Sequence, residues 1–187
     1  AWLLKAIDID NLIQKKFEDK TLGGFFMTPA GQNDLITREK PGDDGAIPSG
    51  NAIAAMNLVR LYLYTDQKNY RQRAEKTLEY FSGLLLKSPE YISGMLPPIQ
   101  LLTDPVKEMV IITPQGQKHK AEPFLDILRK RFVTGQIIVV VQEGKEFDSL
   151  SKTLPQVRGR TALKGMTTLY PCEGKVCRLP VTDPSSL

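Results

Sequence analysis

The amino-acid sequence predicts an α+β chain in two parts, a helical part over residues 1–102 and a small α/β tail with a mainly parallel sheet over residues 105–187. Three observations predict this. Apolar residues recur at three- and four-residue spacing through most of the first hundred positions, the mark of amphipathic helices. After Asp104-Pro105 the pattern changes to short continuous β-branched runs, as expected of strands buried on both faces. The length of 187 residues, with 41% hydrophobic and 25% charged residues, fits a chain that folds in water as one domain or two small ones.

Trp2, Ala6, Ile9, Leu12, Ile13 and Phe17 fall on one helical face and predict a helix ending near Lys20. Thr21-Leu22-Gly23-Gly24-Phe25-Phe26-Met27-Thr28-Pro29 breaks that period and favours an extended backbone, a short strand or hairpin arm. From Ala30 to Ser49 the density of Gly and Pro marks a long ordered loop. Ala52, Met56, Val59 and Leu63 then line up as a second helix to about Tyr64. After the tight link Thr65-Asp66-Gln67, a third stripe of Tyr70, Ala74, Leu78, Phe81 and Leu85 ends before Pro89, so residues 52–87 form a helical hairpin. A further helix is expected within 89–102, interrupted by Pro97-Pro98.

In the tail, Met109-Val110-Ile111-Ile112 and Ile137-Ile138-Val139-Val140-Val141 read as strands. Phe124, Leu125, Leu128 and Phe132 read as the helix between them. Strand, helix, strand with short connections predicts a βαβ unit and a parallel pair. A short helix near 146–153 and a weaker strand at Thr167-Thr168-Leu169-Tyr170 complete the tail.

No apolar run approaches the ~20 residues that span a bilayer, and Ala1-Trp2-Leu3-Leu4-Lys5 lacks the features of a signal peptide. Two cysteines suit a reducing compartment. These observations predict a cytoplasmic protein without a membrane partner, and the missing initiator Met suggests a piece of something longer. Residues 1–104 carry 12 Lys/Arg against 13 Asp/Glu, and residues 105–187 carry 13 against 8. That excess, without a basic run interleaved with aromatics, falls short of a nucleic-acid footprint.

The single histidine, His119, sits in a charged stretch, so neither a His-rich metal site nor a conventional His-based triad is expected. No cofactor motif is present. Thr113-Pro114-Gln115-Gly116-Gln117 follows the first strand and makes a default crevice for a ligand, on topology alone. Cys172 and Cys177 match neither a four-ligand zinc site nor a C-x-x-C motif. They fit a disulfide closing a small loop, or two thiols beside Lys175 and Arg178, whose charges favour thiolates, so structural and redox or thiol-binding roles both stay open. Asp43-Asp44-Gly45-Ala46-Ile47-Pro48-Ser49-Gly50-Asn51 places two carboxylates, a hydroxyl and an amide at the mouth of a helix. These groups fit a helix entry capped by Ser49 or Asn51, or a polar rim of a sugar-sized pocket in which a carboxylate serves as acid or base.

Three motifs, Gly23-Gly24-Phe25-Phe26-Met27-Thr28-Pro29, Asp44-Gly45-Ala46-Ile47-Pro48-Ser49-Gly50-Asn51-Ala52 and Tyr170-x-Cys172-x-x-x-x-Cys177 with Pro180-Val181-Thr182-Asp183-Pro184, closely resemble the C-terminal region of the YyaL-like or spermatogenesis-associated protein 20 family. The resemblance implies that residues 1–102 are the last helical hairpins of an (α/α) toroid of the six-hairpin glycosidase or N-acylglucosamine 2-epimerase type. It also implies a thioredoxin-like domain upstream, absent from this chain. The chain departs from the pattern at Ser93-Gly94-Met95-Leu96-Pro97-Pro98, where a continuous helix is expected.

By the same resemblance, Asp44 is a candidate catalytic acid or base. Asp43, Ser49, Asn51, Phe25 and Phe26 would then lie near a sugar-binding mouth, and the fragment would be inactive alone. The alternative is a non-catalytic interaction or redox module that serves the upstream thioredoxin-like domain through Cys172 and Cys177. A partial toroid would expose apolar faces, which predicts a homodimer.

Overall fold

Among the described residues, six α-helices and four strands form, in order α1 (Trp2–Phe17), α2 (Gly50–Thr65), α3 (Lys68–Lys87), α4 (Leu96–Thr103), β1 (Lys107–Thr113), α5 (Glu122–Lys130), β2 (Gln136–Gln142), α6 (Lys145–Leu150), β3 (Thr168–Glu173) and β4 (Val176–Cys177). The computed structural model describes residues 2–32, 36–131, 133–174 and 176–187. Phe132 and Lys175 therefore lie outside the described residues. The chain divides into two compact units, one of Ala1–Leu63 with Gln67–Leu102 and one of Tyr64–Asp66 with Thr103–Leu187.

In the helical unit, α2 and α3 form the expected hairpin. Leu58 and Leu61 near the end of α2 pack with Tyr70 and Ala74 at the start of α3, while Ala52 and Ala55 pack with Phe81 towards its end. That pairing requires antiparallel helices. Asp66 turns the link with φ 55°, a left-handed conformation that Asp tolerates better than most residues. The face of α1 differs from expectation. Leu3, Ile7, Ile13 and Phe17 pack onto the core, whereas Trp2, Ile9 and Leu12 are 82%, 57% and 57% exposed. The helix carries apolar residues on two faces, and the inward one is fixed by Asp10, whose carboxylate receives Arg73 of α3 at 2.6 Å.

The expected hairpin arm after α1 reduces to one bridge, Glu18 to Phe25. Asp19 builds a tight turn there, accepting from the backbone N–H groups of Thr21 and Leu22, and Gly23 and Gly24 follow with φ 83° and 77°. A side chain at Gly23 would place Cβ 2.5 Å from the Lys76 carbonyl oxygen, so the chain can pass only as glycine.

Pro97 and Pro98 do not interrupt a helix. They occupy the first turn of α4, where the N–H groups have no intrahelical acceptor and proline costs little. The break lies earlier, in a 3-10 stretch over Pro89–Met95 with Ile92 out of helical geometry.

In the α/β unit the sheet order is β2-β1-β3-β4. The β1–β2 pair is parallel, as the βαβ pattern predicts, with Val110 opposite Val139. The β1–β3 and β3–β4 pairs are antiparallel, so the sheet is mixed rather than mainly parallel. The connection from β2 through α6 and two 3-10 turns brings the chain back along the free edge of β1 in the opposite sense. Central β1 buries Val110, Ile111 and Ile112 fully, on both faces. Edge strand β2 instead alternates, with Ile137, Val139 and Val141 buried on one face and Ile138 and Val140 half-buried on the other, where they pack against the cluster around Phe124 and Leu128. Phe124 and Leu128 of α5 pack on this sheet with Ile111 and Leu169.

Candidate functional site

The Asp43–Asn51 segment folds as a brace at the entry to α2. Ser49 is the N-cap: its hydroxyl accepts from Ala52 N–H at 3.1 Å, satisfying one of the free donors of the first turn. Asp44 holds this cap from behind, with Oδ1 accepting from Ser49 N–H at 2.8 Å. Its Oδ2 accepts from Gly94 N–H at 2.6 Å and from the Ser93 hydroxyl at 3.4 Å. The segment that departs from a continuous helix is therefore the one that donates to Asp44. Gly94 makes the approach possible, since a Cβ there would stand 3.0 Å from the carboxylate.

Asn51 is 2% exposed, and its amide makes three hydrogen bonds, one accepted and two donated. Oδ1 accepts from Phe25 N–H at 2.7 Å, while Nδ2 donates to Phe25 C=O at 3.0 Å and to Pro41 C=O at 2.8 Å. Phe25 itself is a core residue, 6% exposed. Phe26 is half-buried beneath the Arg38 guanidinium, 3.9 Å from its ring centroid. Asp43 is exposed. The structure thus brings Asp44 to Ser49 and Asn51 to Phe25, and engages their polar atoms within the chain.

Cys172 and Cys177 face each other across the β3–β4 ladder and are joined as a disulfide. Cys172 is buried at 4% exposure, while Cys177 lies exposed on the two-residue edge strand. Arg178 continues that strand and donates its N–H to Pro171 C=O. One residue that the sequence does not single out belongs here. The Arg160 guanidinium reaches Cys172 Sγ at 3.1 Å and Cys177 Sγ at 3.8 Å through Nη2. Its loop is fixed by Tyr170, whose hydroxyl donates to Thr161 C=O and accepts from Thr161 N–H. Burial pulls the guanidinium below its ordinary pKa, with the charges of Glu108 and Tyr170 opposing. Arg160 stands in a loop without periodicity, and only the cysteines downstream give it meaning.

His119 is exposed in a 3-10 turn before α5. The described residues contain no group of three His, Cys, Asp or Glu side chains placed to hold a metal ion. No helix is long and apolar enough to cross a membrane, among the described residues. A cleft of about 400 Å³ opens at the start of β1, lined by Lys107, Met109, Leu128, Arg131 and Leu179 among others. It lies at the opposite end of β1 from the Thr113–Gln117 crevice, where topology alone puts a ligand.

No protein-family model matches the chain. Over 189 residues it is 29% identical to spermatogenesis-associated protein 20 of Mus musculus, and over 188 residues 28% identical to that of Homo sapiens. Each alignment covers all of this chain and 24% of the relative. An uncharacterised protein of Caenorhabditis elegans is 25% identical over 190 residues, 96% of this chain and 24% of its own length. The chain spans about a quarter of the length of the curated relatives it matches. The resemblance carried by the three sequence motifs therefore holds from end to end: this chain is similar to spermatogenesis-associated protein 20 along its whole length.

Proposed function

We propose that this chain is a non-catalytic interaction module of a longer protein. Its helical unit continues an (α/α) toroid whose other hairpins, together with a thioredoxin-like domain, belong to the rest of that protein. The observation that carries this reading is the outer face of α1. Trp2, Ile9 and Leu12 project into solvent on a helix whose adjoining face is already packed, and a large exposed apolar stripe of this kind favours burial against a partner. The span of about a quarter of the relatives' length supports the same reading. A carbohydrate role for the longer protein would have to draw its acid and base from elsewhere. Asp44 already accepts from Ser49, Ser93 and Gly94, and Asn51 is committed to Phe25 and Pro41.

Sedimentation tests the proposal. Separated from further helices, the chain is expected to self-associate between micromolar and millimolar concentration through α1. The double substitution Ile9→Glu and Leu12→Glu should make it monomeric without changing its helical circular dichroism. A wild-type chain that stays monomeric across that range would overturn the reading.

A further inference from the structure

We propose that the Cys172–Cys177 disulfide is a thiol–disulfide exchange site, in which an incoming thiolate attacks Sγ of Cys177 and Arg160 receives the departing Cys172 thiolate. The two sulfurs are not equivalent. Cys177 is exposed on an edge strand, whereas Cys172 is buried in the sheet, so an external nucleophile reaches Cys177 first. Attack there expels the Cys172 sulfur as an anion into a partly apolar setting, which by itself is unfavourable. Arg160 corrects this, because its Nη2 already stands at 3.1 Å from that sulfur and further, at 3.8 Å, from the other.

A second observation points the same way. Nη1 of Arg160 is buried without a hydrogen-bond partner among the described residues. Glu108 already supplies a countercharge to this half-buried guanidinium, but the unused donor leaves it a further hydrogen bond to give, and the Cys172 thiolate would receive it. Burial also disfavours the guanidinium charge, a cost that a neighbouring thiolate would offset.

The reducing partner is a dithiol. Its first thiolate forms a mixed disulfide with Cys177 as the Cys172–Cys177 bond breaks, and the bonding pair stays on Cys172 Sγ. Its second thiolate then attacks the mixed disulfide and releases Cys177, which takes up a proton. The dithiol leaves as its disulfide, two electrons having passed to the cysteine pair. This site is independent of the α1 surface: a monomeric chain that exchanges at Cys177 would keep this proposal and discard the interaction reading.

The experiment uses the 187-residue chain. Oxidised protein is reacted briefly with glutathione, quenched in acid before Cys172 or a second glutathione resolves the mixed disulfide, and mapped by peptide mass. Glutathione on Cys177 is the expected result, and glutathione chiefly on Cys172, or no adduct, would overturn the proposal. The rate of reduction by dithiothreitol is then compared among wild type, Arg160→Met and Arg160→Lys, with folding checked by circular dichroism. Loss of the charge-assisted contact should slow Arg160→Met on the order of tenfold, and Lys should restore part of the rate. An Arg160→Met protein that folds and reduces at the wild-type rate would remove Arg160 from the step. The adduct map on wild type decides the site of attack even if that variant fails to fold.

Discussion

At Asn51 a primary amide stands in for a neighbouring strand. Its oxygen and nitrogen make the two hydrogen bonds to Phe25 that a paired peptide would make, and a third goes to Pro41. All three lie where water cannot replace them, so the site depends on one side accepting and the other donating. Asn51→Asp keeps the shape and reverses one side, setting a carboxylate oxygen against two carbonyl oxygens. That change should lower unfolding free energy by about 2–4 kcal/mol, because buried acceptors are left unsatisfied beside a charge. Urea unfolding of the variant measures it, and a loss within a few tenths of wild type would mean that the segment around Phe25 is held by packing alone. From sequence, Asn51 reads first as a helix cap and only second as a ligand for hydroxyls. Its distance from Phe25 along the chain hides the third possibility, that it serves the backbone of another segment.

At the scale of elements, helices were legible where one face alone is apolar and illegible in orientation where two are. Tyr70, Ala74 and Phe81 on α3 are buried as their spacing requires. On α1 the same spacing rule selects Trp2, Ile9 and Leu12, and the ion pair of Asp10 with Arg73, distant in sequence, turns the other face inward. The strands were legible from their β-branched runs. The antiparallel sense of β3 was not, because strand direction depends on the length and path of the connection after Gln142 rather than on the strand's own residues. Gly23 is an element-scale requirement that the sequence shows only as a helix breaker. Gly23→Ala must hold φ near 83° and place Cβ 2.5 Å from the Lys76 carbonyl oxygen, so the turn after α1 must shift away from α3. The expected cost is about 1–3 kcal/mol, read as a lower urea midpoint at unchanged m-value. A midpoint equal to wild type would show that the turn relaxes freely.

At the scale of the whole chain, the two units differ in how acid acts on them. In the helical unit, Asp19 is held below its ordinary value of 3.8 by the hydrogen bond from Lys40, with the backbone N–H groups of Leu22 and Thr21 adding to it. A carboxyl depressed by folding contributes stability that is present above the unfolded value and lost as pH falls through the folded one, so the helical unit weakens below about pH 3.8. In the α/β unit, Glu108 on β1 is raised above its ordinary 4.5, chiefly by burial and against the charge of Arg160. Its sign is opposite: a raised carboxyl costs stability above its folded value, and that cost is relieved as pH falls towards and through 4.5. Asp183, lowered by the Ser185 hydrogen bonds, opposes this, but it is fully exposed and solvent screens it. On acidification the α/β unit should therefore gain before the helical unit loses, and the helical unit should open first. Hydrogen exchange followed by segment from pH 6 to pH 3 checks this, with amides of α1–α3 expected to lose protection while those of β1 and β3 keep theirs. Simultaneous loss in both units, or earlier loss in the sheet, would show that these two carboxyls do not govern the acid response. Asp19→Asn separates the causes, since without a titrating group at the turn the acid weakening of the helical unit below pH 3.8 should shrink while the gain attached to Glu108 remains.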